Sequence, residues 1–192
     1  MTRLLPLTAL LLLTLLCGCA AALVGGATVG AAAVADRRSL GNQIDDATIE
    51  RSMRQRISMH EVELPDARVK PVSHNGTLLL IGEAHDAAQR DRIADLAAEL
   101  PGVRRVVTEL AVEERASIWR RSRDTLLTTR AKAALVNLGI PGFDATKVNV
   151  TAVRGEVYLM GLVSRREAAA AVTAIGELRG VRRIVKVFEY LD

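Results

Sequence analysis

Asp124 to Leu138 reads DTLLTTRAKAALVNL. Leu127, Ala131, Ala134, Leu135 and Leu138 form the recurring apolar stripe of a helix that buries one face. Asp124 reads as its N-cap. At about 100° per residue the opposite face carries Leu126, Thr129, Ala133 and Val136, with the cations Arg130 and Lys132 on its flanks. An apolar strip turned outward between cations suits a layer of lipid headgroups better than plain solvent.

The same helix occurs a second time upstream, and the pair decides the fold. Asp46 to His60, DATIERSMRQRISMH, aligns with the first stretch without a gap. Its inner positions are Ile49, Met53, Arg56, Ile57 and His60, and its outer ones Thr48, Arg51, Gln55 and Ser58, which are ordinary solvent residues. The segments downstream of each helix also repeat. In the first copy a strand is expected at 67–73, a turn at His74-Asn75-Gly76, a strand at 77–82, a helix at 86–100 stopped by Pro101-Gly102, and a strand at 103–110. In the second copy the strands fall at 147–152, 156–161 and 181–188, the turn at Arg154-Gly155, and the helix from a Ser164 cap to about residue 178. Leu78-x-Leu80-x-Gly82 matches Val157-x-Leu159-x-Gly161, and Gly102-Val103-Arg104-Arg105 matches Gly180-Val181-Arg182-Arg183.

The expected architecture is therefore α+β, two tandem αββαβ domains at 46–110 and 124–192 joined by a polar linker at 111–123. Modules of this size stand near the lower limit for folding alone. Leu78–Ile81 and Val157–Met160 are apolar on both alternating faces, so each sheet is expected to be covered on both sides, by the other domain or by the N-terminal tether. The linker ends in Trp119, Arg120, Arg121 and Arg123. That cluster reads either as an interfacial anchor or as a Trp packed between domains beside solvated arginines. The Arg104-Arg105 and Arg182-Arg183 pairs read as solvated charges that deter strand-edge pairing.

The N-terminus gives the compartment. Residues 1–18 hold a lone Arg3 and an apolar run from Leu4 to Leu16, the layout of a signal peptide. Leu16-Cys17-Gly18-Cys19 resembles a bacterial lipobox, with Cys19 as the lipidated residue because the small Gly18 precedes it. Acyl chains there, palmitate among them, would anchor the chain at about 0.8 kcal/mol per buried CH₂. Cleavage at Cys19 leaves no free cysteine for a disulfide or a thiol nucleophile. Ala20 next to it resembles the sorting signal for the outer membrane. Residues 19–45 form the lipidated N-terminus and a Gly/Ala-rich tether, whose Arg37-Arg38 pair reads as a solvated charge pair or as a headgroup contact.

Across 192 residues, 49% are hydrophobic and 25% charged, so the chain is too apolar for general disorder. A formal charge of +4 favours anionic partners. Two Phe, two Tyr and one Trp argue against base-stacking recognition, no GXXG clamp occurs, and an exported protein rarely meets RNA, so no nucleic-acid partner is expected. His60, His74 and His85 have no metal-ligand spacing, and no Ser/His/Asp or phosphate-loop motif stands in a workable context, so no catalysis, metal or cofactor is expected.

The αββαβ repeat with its V/L-x-L-x-G and G-V-x-x-V patterns resembles the BON domain of bacterial periplasmic and outer-membrane proteins. Two copies behind a lipobox, with Asp36-Arg37-Arg38-Ser39-Leu40-Gly41, Asp124-Thr125, Thr128-Thr129 and the run Gly155 to Val163, are similar to the dual-BON outer-membrane lipoproteins. That resemblance implies a lipid-anchored protein on the periplasmic face of the outer membrane. It implies binding of anionic phospholipid through the first helix of the second domain, here the face with Leu126, Thr129, Arg130, Lys132, Ala133 and Val136, and Trp119 of the linker is the candidate to join that surface. It further implies a place at the division site and a role in envelope integrity. The family typically carries a Trp after Asp-Thr, where this chain has Leu126. The competing expectation is an adaptor that docks envelope or division proteins, the assembly or cell-wall machinery, without entering lipid.

Overall fold

The computed structural model describes residues 40–191. The signal peptide, Cys19, the Arg37-Arg38 pair and the tether up to residue 39 lie outside the described residues. The first repeat comprises α1 (Leu40–Met59), β1 (Arg68–His74), β2 (Thr77–Ala84), α2 (Ala87–Ala98) and β3 (Arg105–Val112). The second comprises α3 (Ile118–Val136), a single 3-10 turn (Ala145–Lys147), β4 (Val148–Val153), β5 (Glu156–Val163), α4 (Arg165–Gly176) and β6 (Arg183–Tyr190). The αββαβ order is present twice.

Local chemistry fixes each step. β1 and β2 pair antiparallel across Asn75-Gly76, with φ of 50° and 73°, and β4 and β5 pair across Arg154-Gly155, with φ of 59° and 74°. Positive φ at both central residues is what a two-residue hairpin turn matched to strand twist demands. β3 and β6 then pair parallel with β2 and β5. A parallel neighbour needs a crossover, and α2 and α4 supply it. Asp86 caps α2 by accepting from the Gln89 amide at 2.7 Å, and Ser164 and Glu167 form a reciprocal capping box on α4.

Strand alternation produces three cores. Leu78 and Leu80 face Ile49, Met53, Ile93 and Leu96 of the first-repeat helices. Val157 and Leu159 face Leu127, Ala131, Leu135 and Ile175 of the second. The other sheet faces meet each other: Val72, Leu79 and Ile81 pack with Tyr158, Met160 and Val187. The cover expected over the two-sided apolar strands is thus the partner domain's sheet. Six buried side chains at about 1.5–3 kcal/mol each make this contact worth on the order of 10 kcal/mol before ordering entropy. Arg37 to Asp192 accordingly forms one compact unit.

Polar groups close the rim of this contact. Arg183 donates to Glu109 at 2.6 Å and to Glu156 at 2.7 Å, Arg154 pairs with Glu113 at 2.6 Å, and Asn75 donates to Glu189 at 2.7 Å. Burial alone would raise the Glu156 carboxyl, but hydrogen bonds from Arg183 and Tyr158 outweigh it and hold the carboxyl below its ordinary value. Burial, then the bond to Glu156, pushes the Tyr158 phenol up. The reading of the arginine pairs as plain solvated edge charges is corrected by these contacts. Arg183 bridges the domains, and the Arg104 and Arg182 side chains each donate to the carbonyl of a turn residue, Asn75 and Arg154. They sit beside the partners because the third strand begins next to its own hairpin turn.

Candidate lipid-facing site

α3 starts two turns before Asp124. Ser117 is its N-cap, accepting from the Arg120 amide at 3.3 Å. Asp124 is therefore not a cap. It lies inside the helix, 9% exposed, and its carboxylate accepts from the Arg154 amide at 2.8 Å and the Gly155 amide at 2.9 Å. Asp46 does the same from α1, accepting from the Asn75 and Gly76 amides at 2.7 and 3.0 Å and from the Ser73 hydroxyl at 2.7 Å. A left-handed turn points successive amides one way, and a short carboxylate collects them. In each repeat the aspartate clamps the hairpin turn onto the first helix.

The earlier start brings Trp119 into the helix. It stands seven positions before Leu126, two turns back on the same face. Trp119 is 79% exposed, Leu126 57% and Val136 71%, and Thr129 and Ala133 are exposed with them. A Trp packed between domains is thereby ruled out. The hydroxyls along this surface are occupied: Ser122 donates to the Ile118 carbonyl at 3.1 Å, Thr125 to Arg121 at 3.0 Å and Thr129 to Thr125 at 3.1 Å. The face offers an indole, aliphatic groups and methyls, with little polarity left for a lipid interface to satisfy.

The two flanking cations part company. Arg130 lines a basin of about 780 Å³ whose walls also carry Arg120, Arg123, Arg154, Arg179 and Arg182 together with Leu126. Lys132 turns the other way, lining a separate pocket with His74, Val136 and Lys147, and lies near enough to Lys70 of β1 to affect its charge. Burial first, then Lys132 and Arg68, hold the Lys70 ammonium below its ordinary value against the opposing pull of Glu50.

Six arginines share the basin with two carboxylates, Glu113 and Asp124. Glu113 is taken by Arg154 and Asp124 by the turn amides. Among the described residues no carboxylate pairs with Arg120, Arg123, Arg130, Arg179 or Arg182. The repeat supplies an internal control. The positions matching Arg120, Arg123, Arg130, Arg154, Arg179 and Arg182 in the first domain are Asn42, Asp45, Ser52, Asn75, Pro101 and Arg104. The fold is common to both copies, but of the six basin arginines only Arg182 has an arginine at its matched position, Arg104.

Arg120 and Arg123 were visible beside Trp119 in the sequence, but Arg154, Arg179 and Arg182 were not legible as partners of α3. They come from a turn and a loop far along the chain. Asp124 pins the turn to the helix, and the Arg182 amide donates to the Gly155 carbonyl at 2.8 Å, bringing the loop after it. Among the described residues no helix is long and apolar enough to cross a membrane, and no three His, Cys, Asp or Glu side chains gather as a metal site.

The BON domain family matches residues 45–114 and 123–192. The outer membrane lipoprotein DolP of Haemophilus influenzae is 37% identical over 175 residues, covering 91% of this chain and 90% of that protein. The 21 kDa hemolysin of Actinobacillus pleuropneumoniae is 33% identical over 157 residues, covering 82% and 80%. Among solved structures, CdsD, a structural protein of the type III secretion system of Chlamydia trachomatis, aligns over 73% of this chain and 92% of its own at 14% identity, with a TM-score of 0.31, too loose to carry anything over. Two BON matches in one chain and near full-length similarity to DolP lead to one conclusion: the chain belongs to the dual-BON, DolP family.

Proposed function

We propose that the protein is a non-catalytic outer-membrane lipoprotein, anchored through Cys19 on the periplasmic side, that binds anionic phospholipid with the outer face of α3 and so supports envelope integrity at the division site. The relationship to DolP supports the envelope location. The observation that carries the lipid reading is the pairing of an exposed apolar strip, Trp119, Leu126, Ala133 and Val136, with a basin of arginines that lack carboxylate partners, on one repeat and not the other.

The division of labour rests on the chemistry. The acyl anchor holds the protein at the membrane, and α3 samples the lipid surface. Each basic side chain near an anionic surface contributes about 1 kcal/mol, and burial of Leu126 and part of the Trp119 ring adds about 1.5–3 kcal/mol per side chain at full depth. Trp119 supplies the interfacial indole, since its amphipathic ring prefers the headgroup level. This assigns to position 119 the role that the family places after Asp-Thr, where this chain has Leu126.

Vesicle co-sedimentation of residues 37–192, the compact unit, tests the reading, comparing anionic with zwitterionic lipid and wild type with Leu126→Asp. Leu126 is exposed and its substitution leaves the core untouched. Binding to anionic vesicles only, weakened tenfold or more by Leu126→Asp and by raised salt, is the expected result. No binding by the folded wild type at low salt would leave the protein-docking adaptor as the better description.

A further inference from the structure

A buried carboxylate of the first domain is left without a partner. Strand alternation puts Glu83 of β2 in line with Leu79 and Ile81, on the sheet face that meets the second domain. It is 1% exposed, and neither of its carboxylate oxygens accepts a hydrogen bond. An uncompensated carboxylate at that depth is costly, and the fold does not demand one, since the matched position of the second repeat is Leu162. Glu83 lines a cleft of about 350 Å³ between the two domains. Arg121 of α3 lines the same cleft, and its Nε is buried and equally without a partner. Among the described residues no ion pair joins Glu83 to Arg121.

Most other polar groups around the cleft are engaged. Asp124 holds the turn amides, Arg54 pairs with Glu50 at 3.3 Å, and the Lys70 ammonium donates to the Thr151 hydroxyl at 3.3 Å. Pro71, Ile81 and Val153 add apolar wall. What is left is an acceptor for a cation and a donor for an anion, in a space at the lower end of small-molecule sites. A plain cation would face Arg68, Lys70 and Arg121, and a plain anion would face Glu83. A molecule carrying both charges escapes both repulsions. From this we infer that the cleft is a site for a small zwitterion of the amino-acid or dipeptide class, its ammonium on Glu83 and its carboxylate on Arg121. Trp119 and Leu126 are not among the cleft walls, so the site is separate from the outer face of α3 and does not depend on lipid binding there.

The test is an amide NMR titration of the full chain, in a non-ionic detergent, with alanyl-alanine. Two probes of the same class serve as controls: alaninamide, which has the ammonium alone, and N-acetylalanine, which has the carboxylate alone. The expected result is saturable shifts at Gly82, Glu83 and Arg121, with alanyl-alanine binding about tenfold or more tighter than either control. Glu83→Gln keeps the side chain's shape and removes its charge. It should raise the melting temperature of the protein without probe, because it relieves a buried unpaired carboxylate, and weaken alanyl-alanine about tenfold or more. Arg121→Gln should weaken it similarly. Binding of alanyl-alanine no tighter than the controls, or unchanged by Glu83→Gln, would overturn the assignment. So would the absence of shifts with every probe. A fall in melting temperature for Glu83→Gln without probe would show a carboxylate already satisfied within the protein, by water or by Arg121, and would overturn the site as well.

Discussion

Replacing Asp124 separates its two possible roles. As a clamp, its carboxylate holds the Arg154 and Gly155 amides at 2.8 and 2.9 Å from a site 9% exposed. Hydrogen bonds to a charged group contribute about 1.5–3 kcal/mol each. The turn is only half-buried, so water reclaims part of the loss, and Asp124→Ala should cost about 3 kcal/mol. For a cooperative unit of this size that is a fall in Tm of about 6–12 °C. Asp124→Asn is the sharper variant. Its amide oxygen can accept from one of the two N–H groups, but its NH₂ faces the other as a donor, so about half the loss should remain. An N-cap would behave differently, since Asn is as good a cap as Asp and even Ala there costs only about 1 kcal/mol. Thermal melts of residues 37–192, with amide exchange at Arg154 and Gly155, decide between them. A silent Asp124→Asn with unchanged exchange at the turn would refute the clamp. Asp46→Ala should cost more than Asp124→Ala, because Asp46 also holds the Ser73 hydroxyl.

Other consequences can be checked with the same preparations. A Cβ on Gly82, where φ is +134°, would stand 1.9 Å from the Arg68 carbonyl oxygen, so Gly82→Ala should lower stability in urea by about 2–4 kcal/mol. Gly139→Ala meets no atom within 4 Å and should cost only about 1 kcal/mol from its backbone conformation. The Glu156 carboxyl is held below its ordinary value in the folded state, so its contribution is complete above the unfolded carboxylate range, about pH 4.3, and is lost as pH falls through the folded value. Glu156→Gln should therefore be less stable than wild type at pH 6, and the difference should shrink steadily in melts taken below about pH 4.

Much of the fold was written in short-range pattern. Asn75-Gly76 and Arg154-Gly155 between apolar runs specify hairpins, Asp86 and Ser164 mark helix starts, and the two-sided apolar runs Leu78–Ile81 and Val157–Met160 signal sheets buried on both faces. The start of α3 was not legible, for a physical reason. Between Ile118 and Arg123 only Arg121 is even partly buried, so no apolar stripe announces the helix, while an Asp just before the stripe begins imitates a cap. The exposed strip Leu126, Thr129, Ala133 and Val136 was legible because one helix carries all of it. The arginine basin was not, because the turn and loop that complete it reach α3 only through the aspartate clamp and the Arg182 to Gly155 bond. Lys132 shows the limit of a helical wheel. It sits on the flank as expected, yet it faces Lys70 and a different pocket from Arg130.

The most direct test of lipid engagement by α3 is quenching of Trp119 by lipids brominated along the acyl chain. Residues 37–192 are mixed with vesicles that are either anionic or zwitterionic. A blue-shifted emission and quenching by shallow bromines in anionic vesicles, absent in zwitterionic ones and reversed by salt, is the expected result. Unchanged, unquenched emission from protein that remains folded in anionic vesicles at low salt would contradict it.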